Sequence, residues 1–173
     1  MELKLIPLRR KYLEFIRQVR NDPWINKYLF TNIHISKEEQ ERWYKQRYLR
    51  DKNYLIFIAL DDKAPIGYVQ IVHIDIVNYS CELGFCIKPE FQSKGYGKAL
   101  VDKLISHGFN VLKMHRIYLE VFVDNKRAWK IYEKYGFKKE GILRDKVFKD
   151  GVFKDVLIMS IINDERNNKI KLE

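Results

Sequence analysis

Cysteine is scarce in this chain: two residues in 173, Cys81 and Cys86. They stand in a segment read below as one strand, at an odd separation, so regular alternation puts them on opposite faces and no disulfide is expected. Two lone thiols fit a reducing compartment, and they read as small buried hydrophobes rather than metal or redox groups. The four histidines, His34, His73, His107 and His115, are scattered. None pairs at ligand spacing with Cys, Asp or Glu, so no metal is expected. No apolar stretch approaches the roughly 20 residues of a membrane span. Glu2, Lys4, Arg9 and Arg10 leave no room for a signal-peptide core in the first ten residues. These absences predict a cytoplasmic protein with no membrane partner.

What the chain does have is a core. Hydrophobic residues make up 46% and aromatic residues 14%, and the length is that of one globular domain. The net charge of +10 admits nucleic acid, an acidic surface or an anionic small molecule as partner. The basic residues are spread along the whole chain and no nucleic-acid motif accompanies them. A solvated surface therefore explains most of them, the excess favours phosphate-bearing ligands, and nucleic acid is not expected.

The hydrophobic pattern predicts an α+β fold. Tyr12, Leu13, Ile16 and Val19 recur at helical spacing over Arg10–Asn21, and Pro23 stops that helix. Ser36 and Glu39 form a capping box that opens a second helix, running to about Tyr48. Tyr54–Leu60, Pro65–Ile74 and Tyr79–Ile87 then read as three strands of an antiparallel meander. Gly97, Leu100, Val101, Leu104, Ile105, Gly108, Phe109 and Leu112 hold one face of a long helix. Arg116–Val123 alternates as a strand. Asn125 caps a helix through Tyr135, with Gly136 as its C′ residue. Phe137–Phe148 and Val152–Ile162 flank a Lys149-Asp150-Gly151 hairpin turn. Residues 1–162 read as one domain, and Asn163–Glu173 as a polar tail.

Chemistry is concentrated between Ile87 and Lys98. A strand ends, a loop turns, and a helix begins. Free N–H groups and the positive dipole end at a helix N-terminus suit a pyrophosphate. Gly95 and Gly97 permit close backbone approach, and Lys94 and Lys98 add charge. A dinucleotide fingerprint fails because Leu100 stands at the third glycine position, and a P-loop pattern is absent. A structural turn is the remaining alternative.

Gln92-x-x-Gly95-x-Gly97 resembles the Q/R-x-x-G-x-G/A acetyl-CoA signature of the GNAT N-acetyltransferase superfamily. Leu83-x-Phe85-x-Ile87-x-Pro89 looks like that family's fourth strand. Asn125-Lys126-Arg127-Ala128, Tyr132-Glu133-Lys134, Gly136-Phe137 and Glu140-Gly141 look like its later block, in family order. The resemblance implies a mixed, mostly antiparallel sheet of about seven strands with about four helices. It also implies transfer of acetyl from acetyl-CoA directly to an amine, without an acyl-enzyme. Main-chain groups of Phe85, Cys86 and Ile87 would pair with the pantetheine arm, with Gly84 a candidate bulge, and a backbone N–H there would hold the thioester oxygen. Gln92, Ser93, Lys94, Gly95, Tyr96, Gly97 and Lys98 would cradle the pyrophosphate, and Asn125 would serve as cap and coenzyme contact. Tyr132 matches the family tyrosine that protonates the leaving thiolate; the alternative is a core tyrosine. Glu82, a carboxylate in a strand that otherwise reads as core, is the leading base, against a salt-bridged edge carboxylate with no role in the reaction; Glu120 or ordered water are the other bases.

For the acceptor, Arg20, Asn21 and Trp24, with the segment from Ile35 to Trp43, resemble UDP-4-amino-sugar N-acetyltransferases of nonulosonic-acid synthesis. The stretches Asn110–Leu119 and Gly141–Asp155 look more like spermidine and ribosomal-protein N-acetyltransferases. The charge places a small anionic amine first and a polyamine or protein N-terminus second. A non-catalytic coenzyme-A- or nucleic-acid-binding module is the alternative of another class. The expected partner is a small-molecule amine, with a homodimer also open.

Overall fold

The computed structural model describes residues 2–31 and 33–164. Most of the tail expected at Asn163–Glu173 therefore lies outside the described residues. The chain opens on a strand absent from the sequence reading, β1 (Leu3–Pro7). Five residues ending in proline carry little periodic signal. What makes them a strand is a partner, β2 (Leu55–Asp61), paired from Leu3↔Asp61 to Pro7↔Phe57.

A 3₁₀ turn at Arg10–Tyr12 leads into α1 (Leu13–Asn21), which buries Leu13, Ile16 and Val19 as the spacing predicts. Pro23 does more than stop it. Asp22 accepts from the N–H groups of Trp24 and Ile25, and Pro23 at N1 opens a short second helix, α2 (Pro23–Asn26). Ser36 and Glu39 close the expected capping box at α3 (Lys37–Trp43), which widens into a π turn at Tyr44–Tyr48.

Next come β3 (Ala64–Asp75) and β4 (Ser80–Ile87), then α4 (Tyr96–Ser106), whose last turn widens at His107–Val111. β5 (Arg116–Phe122), α5 (Lys126–Lys134), β6 (Lys138–Lys149) and β7 (Val152–Ile162) complete the fold. The seven strands form one sheet in the order β1-β2-β3-β4-β5-β7-β6. All neighbours are antiparallel except β4 and β5.

Two cores lie on opposite faces. Leu100, Val101, Leu104 and Ile105 of α4 pack on one face, against Cys81 and Leu83. Leu13, Ile16, Val19 and Ile25 of α1 and α2 pack on the other, with Cys86 against them. The two thiols are therefore on opposite faces, as alternation predicts.

Two features of the sheet prepare the site. First, β4 and β5 pair only over Ser80–Glu82 and Arg116–Tyr118, then diverge. Second, Gly84 is not a bulge. The β3–β4 register is unbroken from Gly67↔Ile87 to Val72↔Glu82 and shifts only between Val72 and Asp75. Gly84 instead makes room for a neighbour: a Cβ there would lie 3.0 Å from the Gln70 amide nitrogen.

Candidate active site

Where β4 and β5 part, a cleft of about 780 Å³ passes through the sheet. Its walls come from both faces, which is why it gathers residues far apart in sequence. At one end is the loop after β4. Gly95 has φ +88 and Ser93 φ +63, so the backbone curls before α4 begins. The N–H groups of Ser93, Lys94, Gly95, Tyr96 and Gly97 have no acceptor among the described residues, while those of Gln92 and Lys98 bond back to Pro89 and Gly95. Five free N–H groups at a helix N-terminus, flanked by Lys98 and Arg127, fit a pyrophosphate.

The side chains of this loop divide. Gln92, Ser93, Gly95, Gly97 and Lys98 line the cleft. Gln92 is also a brace, its Nε2 donating to the Ile87 carbonyl at 2.9 Å. The Lys94 side chain reaches over the Phe91 ring, and Tyr96 is buried with its hydroxyl on Asp61, so neither side chain lines the cleft. Their contribution is backbone N–H. Arg127 was missed as a site residue. It donates to Gln92 Oε1 at 3.3 Å and Ser93 Oγ at 3.0 Å, tying α5 to the loop. Its only sequence signal is its place beside Asn125, which caps α5 through the Ala128 N–H and also lines the cleft.

Beyond Glu82, β4 has lost β5 as a partner, so its amides on that side are open to the cleft. The Cys86 carbonyl turns the other way, 2.2 Å from where a Gly67 Cβ would stand. Alternation then turns the Phe85 and Ile87 amides to the open side, and the Ile87 carbonyl is already held by Gln92. Of the three residues expected to pair with a pantetheine arm, Phe85 is the one with both backbone groups available. Cys86 contributes a wall: its thiol donates to the Tyr68 hydroxyl at 3.4 Å, and burial pushes its pKa up.

Tyr132 and Glu82 approach the cleft from opposite faces of the sheet. Tyr132 is buried in the α4–α5 core, its ring edge-on to Phe85 and Phe137 at 6.0 and 5.5 Å. Burial, with Cys86 nearby, pushes its phenol well above the usual tyrosine range, so it stays protonated. No side chain among the described residues hydrogen-bonds its hydroxyl. Glu82 lies on the α1 side, opposite Cys81 and Leu83 by alternation, and lines the cleft. It is not a lone carboxylate: His73 Nδ1 lies 2.8 Å from its Oε2. Glu120, two residues beyond Glu82's partner Tyr118, also lines the cleft, but Lys146 engages it.

The remaining wall is the segment from Arg20 to Thr31. Arg20 lines the cleft and its guanidinium makes no hydrogen bond or ion pair among the described residues. Trp24 lines it too, with Lys27 Nζ 3.5 Å over its ring. Asn21 does not. Its amide clamps the loop before α3, donating to the Ile35 carbonyl at 2.8 Å and accepting from the Ile35 N–H at 2.9 Å. The reason is its position: one residue past Arg20 on a helix turns the side chain about 100° away.

A second clamp comes from the far end of the sheet. Lys149, which the sequence places only in a hairpin turn, is 1% exposed. Its ammonium donates to Asn26 Oδ1 at 3.2 Å and the Thr31 carbonyl at 3.0 Å. Asn26 in turn donates to the Arg20 carbonyl. A lysine buried on neutral acceptors costs free energy that a surface position would not, and here it fixes the cleft wall. Lys149→Met keeps the stem and deletes the donors. The expected outcome is an acceptor KM raised about 3- to 10-fold, the worth of one net hydrogen bond, with acetyl-CoA KM unchanged. Steady-state kinetics in both substrates checks it, and equal shifts in both KM values would contradict it.

The likeness to known proteins is consistent with this geometry. The profile of the acetyltransferase (GNAT) domain family matches residues 2–138. The chain is 34% identical over 140 residues to spermidine N(1)-acetyltransferase of Vibrio cholerae serotype O1, covering 80% of each. It is 33% identical over 130 residues to the acetyltransferase PseH of Campylobacter jejuni, covering 75% of this chain and 79% of that one. The crystal structure of the Vibrio cholerae spermidine N-acetyltransferase in complex with CoA and spermine superposes with a TM-score of 0.91 at 34% identity, over 96% of this chain and 98% of that one. A cleft between splayed strands, a loop of free amides at a helix start and these matches together make this chain a member of the GNAT acetyltransferase family, an enzyme that uses acetyl-CoA.

Proposed function

We propose that the acceptor is a polyamine such as spermidine, acetylated at a primary amine. The observation that carries this reading is the composition of the acceptor end of the cleft. Glu82, which no lysine or arginine hydrogen-bonds among the described residues, lines the cleft with the rings of Trp43 and Tyr54, and with those of Trp24 and Tyr28, over which Lys27 already stands; Glu120 lines it too, held by Lys146. Carboxylates and aromatic faces both attract alkylammonium groups. The resemblance of the chain to spermidine acetyltransferases supports the same class. This reverses the order reached from sequence, where the +10 charge placed an anionic amino sugar first. Net charge is a property of the whole surface, while recognition depends on the groups inside the cleft.

One observation favours the second reading, a UDP-4-amino sugar: Arg20 faces the cleft without a carboxylate partner among the described residues. The resemblance of the Arg20, Asn21 and Trp24 segment to UDP-4-amino-sugar N-acetyltransferases supports it too. In either case the chemistry is the same. Acetyl-CoA, when bound, supplies the activated acetyl group. Glu82 takes the proton of the amine, and the Tyr132 phenol donates one to the departing sulfur. The Phe85 N–H, on the side of β4 that has no strand partner, would hold the carbonyl oxygen. Cys86 is unsuited to carry the acetyl group, since its pKa is raised and its thiol proton is engaged by Tyr68.

The test is an acceptor screen with acetyl-CoA, following release of free thiol, with spermidine and UDP-4-amino sugars side by side. Turnover of spermidine and none of the sugars is expected, and Arg20→Ala should then leave spermidine KM within about twofold. Turnover of the sugars alone, with their KM raised by Arg20→Ala and acetyl-CoA KM unmoved, would install the second reading.

A further inference from the structure

The Glu82 carboxylate has a single hydrogen-bonding partner among the described residues, and the mechanism above leaves that partner unused. It is His73, with Nδ1 2.8 Å from Glu82 Oε2. The contact depends on a local irregularity of β3. Val72 pairs with Glu82 and Asp75 with Ser80, so His73 and Ile74 together oppose Cys81 alone. Strict alternation after Val72 would send residue 73 to the opposite face of the sheet from Glu82. The bulge holds His73 at φ +49, on the Glu82 side. That conformation is unfavourable for a residue with a Cβ. Ile74 N–H, bonded to the Asn53 carbonyl, fastens the bulge from the segment before β2.

The two side chains differ in exposure. Glu82 is recessed at 19%, while His73 stands outside it at 61%. The ring therefore reaches the carboxylate from the solvent side and leaves the second oxygen, Oε1, for a cleft ligand. No lysine or arginine hydrogen-bonds Glu82 among the described residues, whereas Glu120 is held by Lys146. A permanent cation would oppose proton uptake by the carboxylate; a ring nitrogen orients it without that fixed charge.

We propose that His73 is a positioning residue for acetyl transfer, fixing Glu82 so that Oε1 receives the proton of the attacking amine. The inference rests on the reading of Glu82 as the base. The step balances simply. The lone pair of the neutral amine forms the new N–C bond as the carbonyl π pair moves to oxygen. The N–H bond then breaks, its proton going to Oε1 and its electron pair staying on nitrogen, and the oxygen pair returns to re-form the carbonyl. The sulfur leaves with the C–S pair and takes the Tyr132 proton. The His73–Glu82 hydrogen bond is retained throughout.

His73→Gly is the decisive variant, because glycine adopts a positive φ without strain and keeps the bulge. Its kcat is expected to fall roughly 10- to 100-fold, the loss of one charge-assisted hydrogen bond, with both KM values unchanged. Free imidazole should restore part of that loss, since the site of the ring is open to solvent. His73→Gln, which keeps an N–H donor, should lie between the glycine variant and the parent. Glu82→Gln should be impaired and insensitive to imidazole. An unchanged kcat in His73→Gly overturns this inference alone. So does a loss that neither imidazole nor glutamine relieves. An unchanged kcat in Glu82→Gln removes the base reading itself, and the inference with it.

Discussion

Tyr132→Phe is expected to lower kcat by roughly 10²- to 10⁴-fold, the usual worth of a general acid, while acetyl-CoA affinity stays within about twofold. The substitution removes one oxygen and nothing else. The ring contacts with Phe85 and Phe137 survive, so the α4–α5 core keeps its packing. The deleted hydroxyl has no hydrogen-bond partner among the described residues, so its removal orphans no other group and stability should hold. The sign of the pH dependence follows from burial. With the phenol pushed above its ordinary range, the donor remains protonated through neutral and moderately alkaline pH. No activity loss from phenol ionisation is then expected near pH 10, about the ordinary tyrosine value. Rapid-quench measurement of the chemical step, with calorimetry for the coenzyme, checks both halves. An unaltered chemical rate in the Tyr132→Phe enzyme would leave Tyr132 as a core residue only.

Gly97→Glu should weaken acetyl-CoA binding at least about 100-fold, or roughly 2.7 kcal/mol. A Cβ at this position would lie 3.5 Å from Ile131 Cδ1 and 3.9 Å from Ile87 and Phe85, which is ordinary contact. Alanine is therefore tolerated, and the damage comes from the carboxylate. The Cβ faces Ile131, Ile87 and Phe85, which line the cleft, so glutamate would bring a negative charge and added bulk into the cleft beside the loop whose free N–H groups would hold the anion. Calorimetry on Gly97→Glu and Gly97→Ala separates the two effects. Parent-like affinity in a folded Gly97→Glu protein would mean that the loop does not hold the pyrophosphate.

The determinants of this protein differ in how far they act along the chain. Those that act within one or two turns were legible in the residues. The Ser36–Glu39 capping box, the Asn125 cap, the positive φ of Gly136 and the apolar stripes of α1 and α4 each follow from local hydrogen bonding or periodicity, and each is in place. The Gln92–Lys98 loop was legible for the same reason: a strand end, two glycines and a helix start favour a nest of free amides, which Arg127 then ties to α5. β1 was not legible, because it exists only by pairing with β2, far along the chain. The π turns that widen α3 and α4 and the short helix after Pro23 were not distinguished for a related reason, since packing decides how a helix ends. The site shows the division most clearly. Tyr132 and Glu82 were named from sequence, yet that both line one cleft, from opposite faces of the sheet, depends on β4 and β5 parting after Glu82, which no local pattern encodes. His73, Arg127 and Lys149 came to the site only through tertiary structure: a bulge in β3 turned the first, helix α5 carried the second to the loop, and the β6–β7 hairpin buried the third against Thr31. A side chain's type and local backbone can be read from its neighbours in the chain. Its partners across the sheet are set by register and burial, and here those partners shape the cleft.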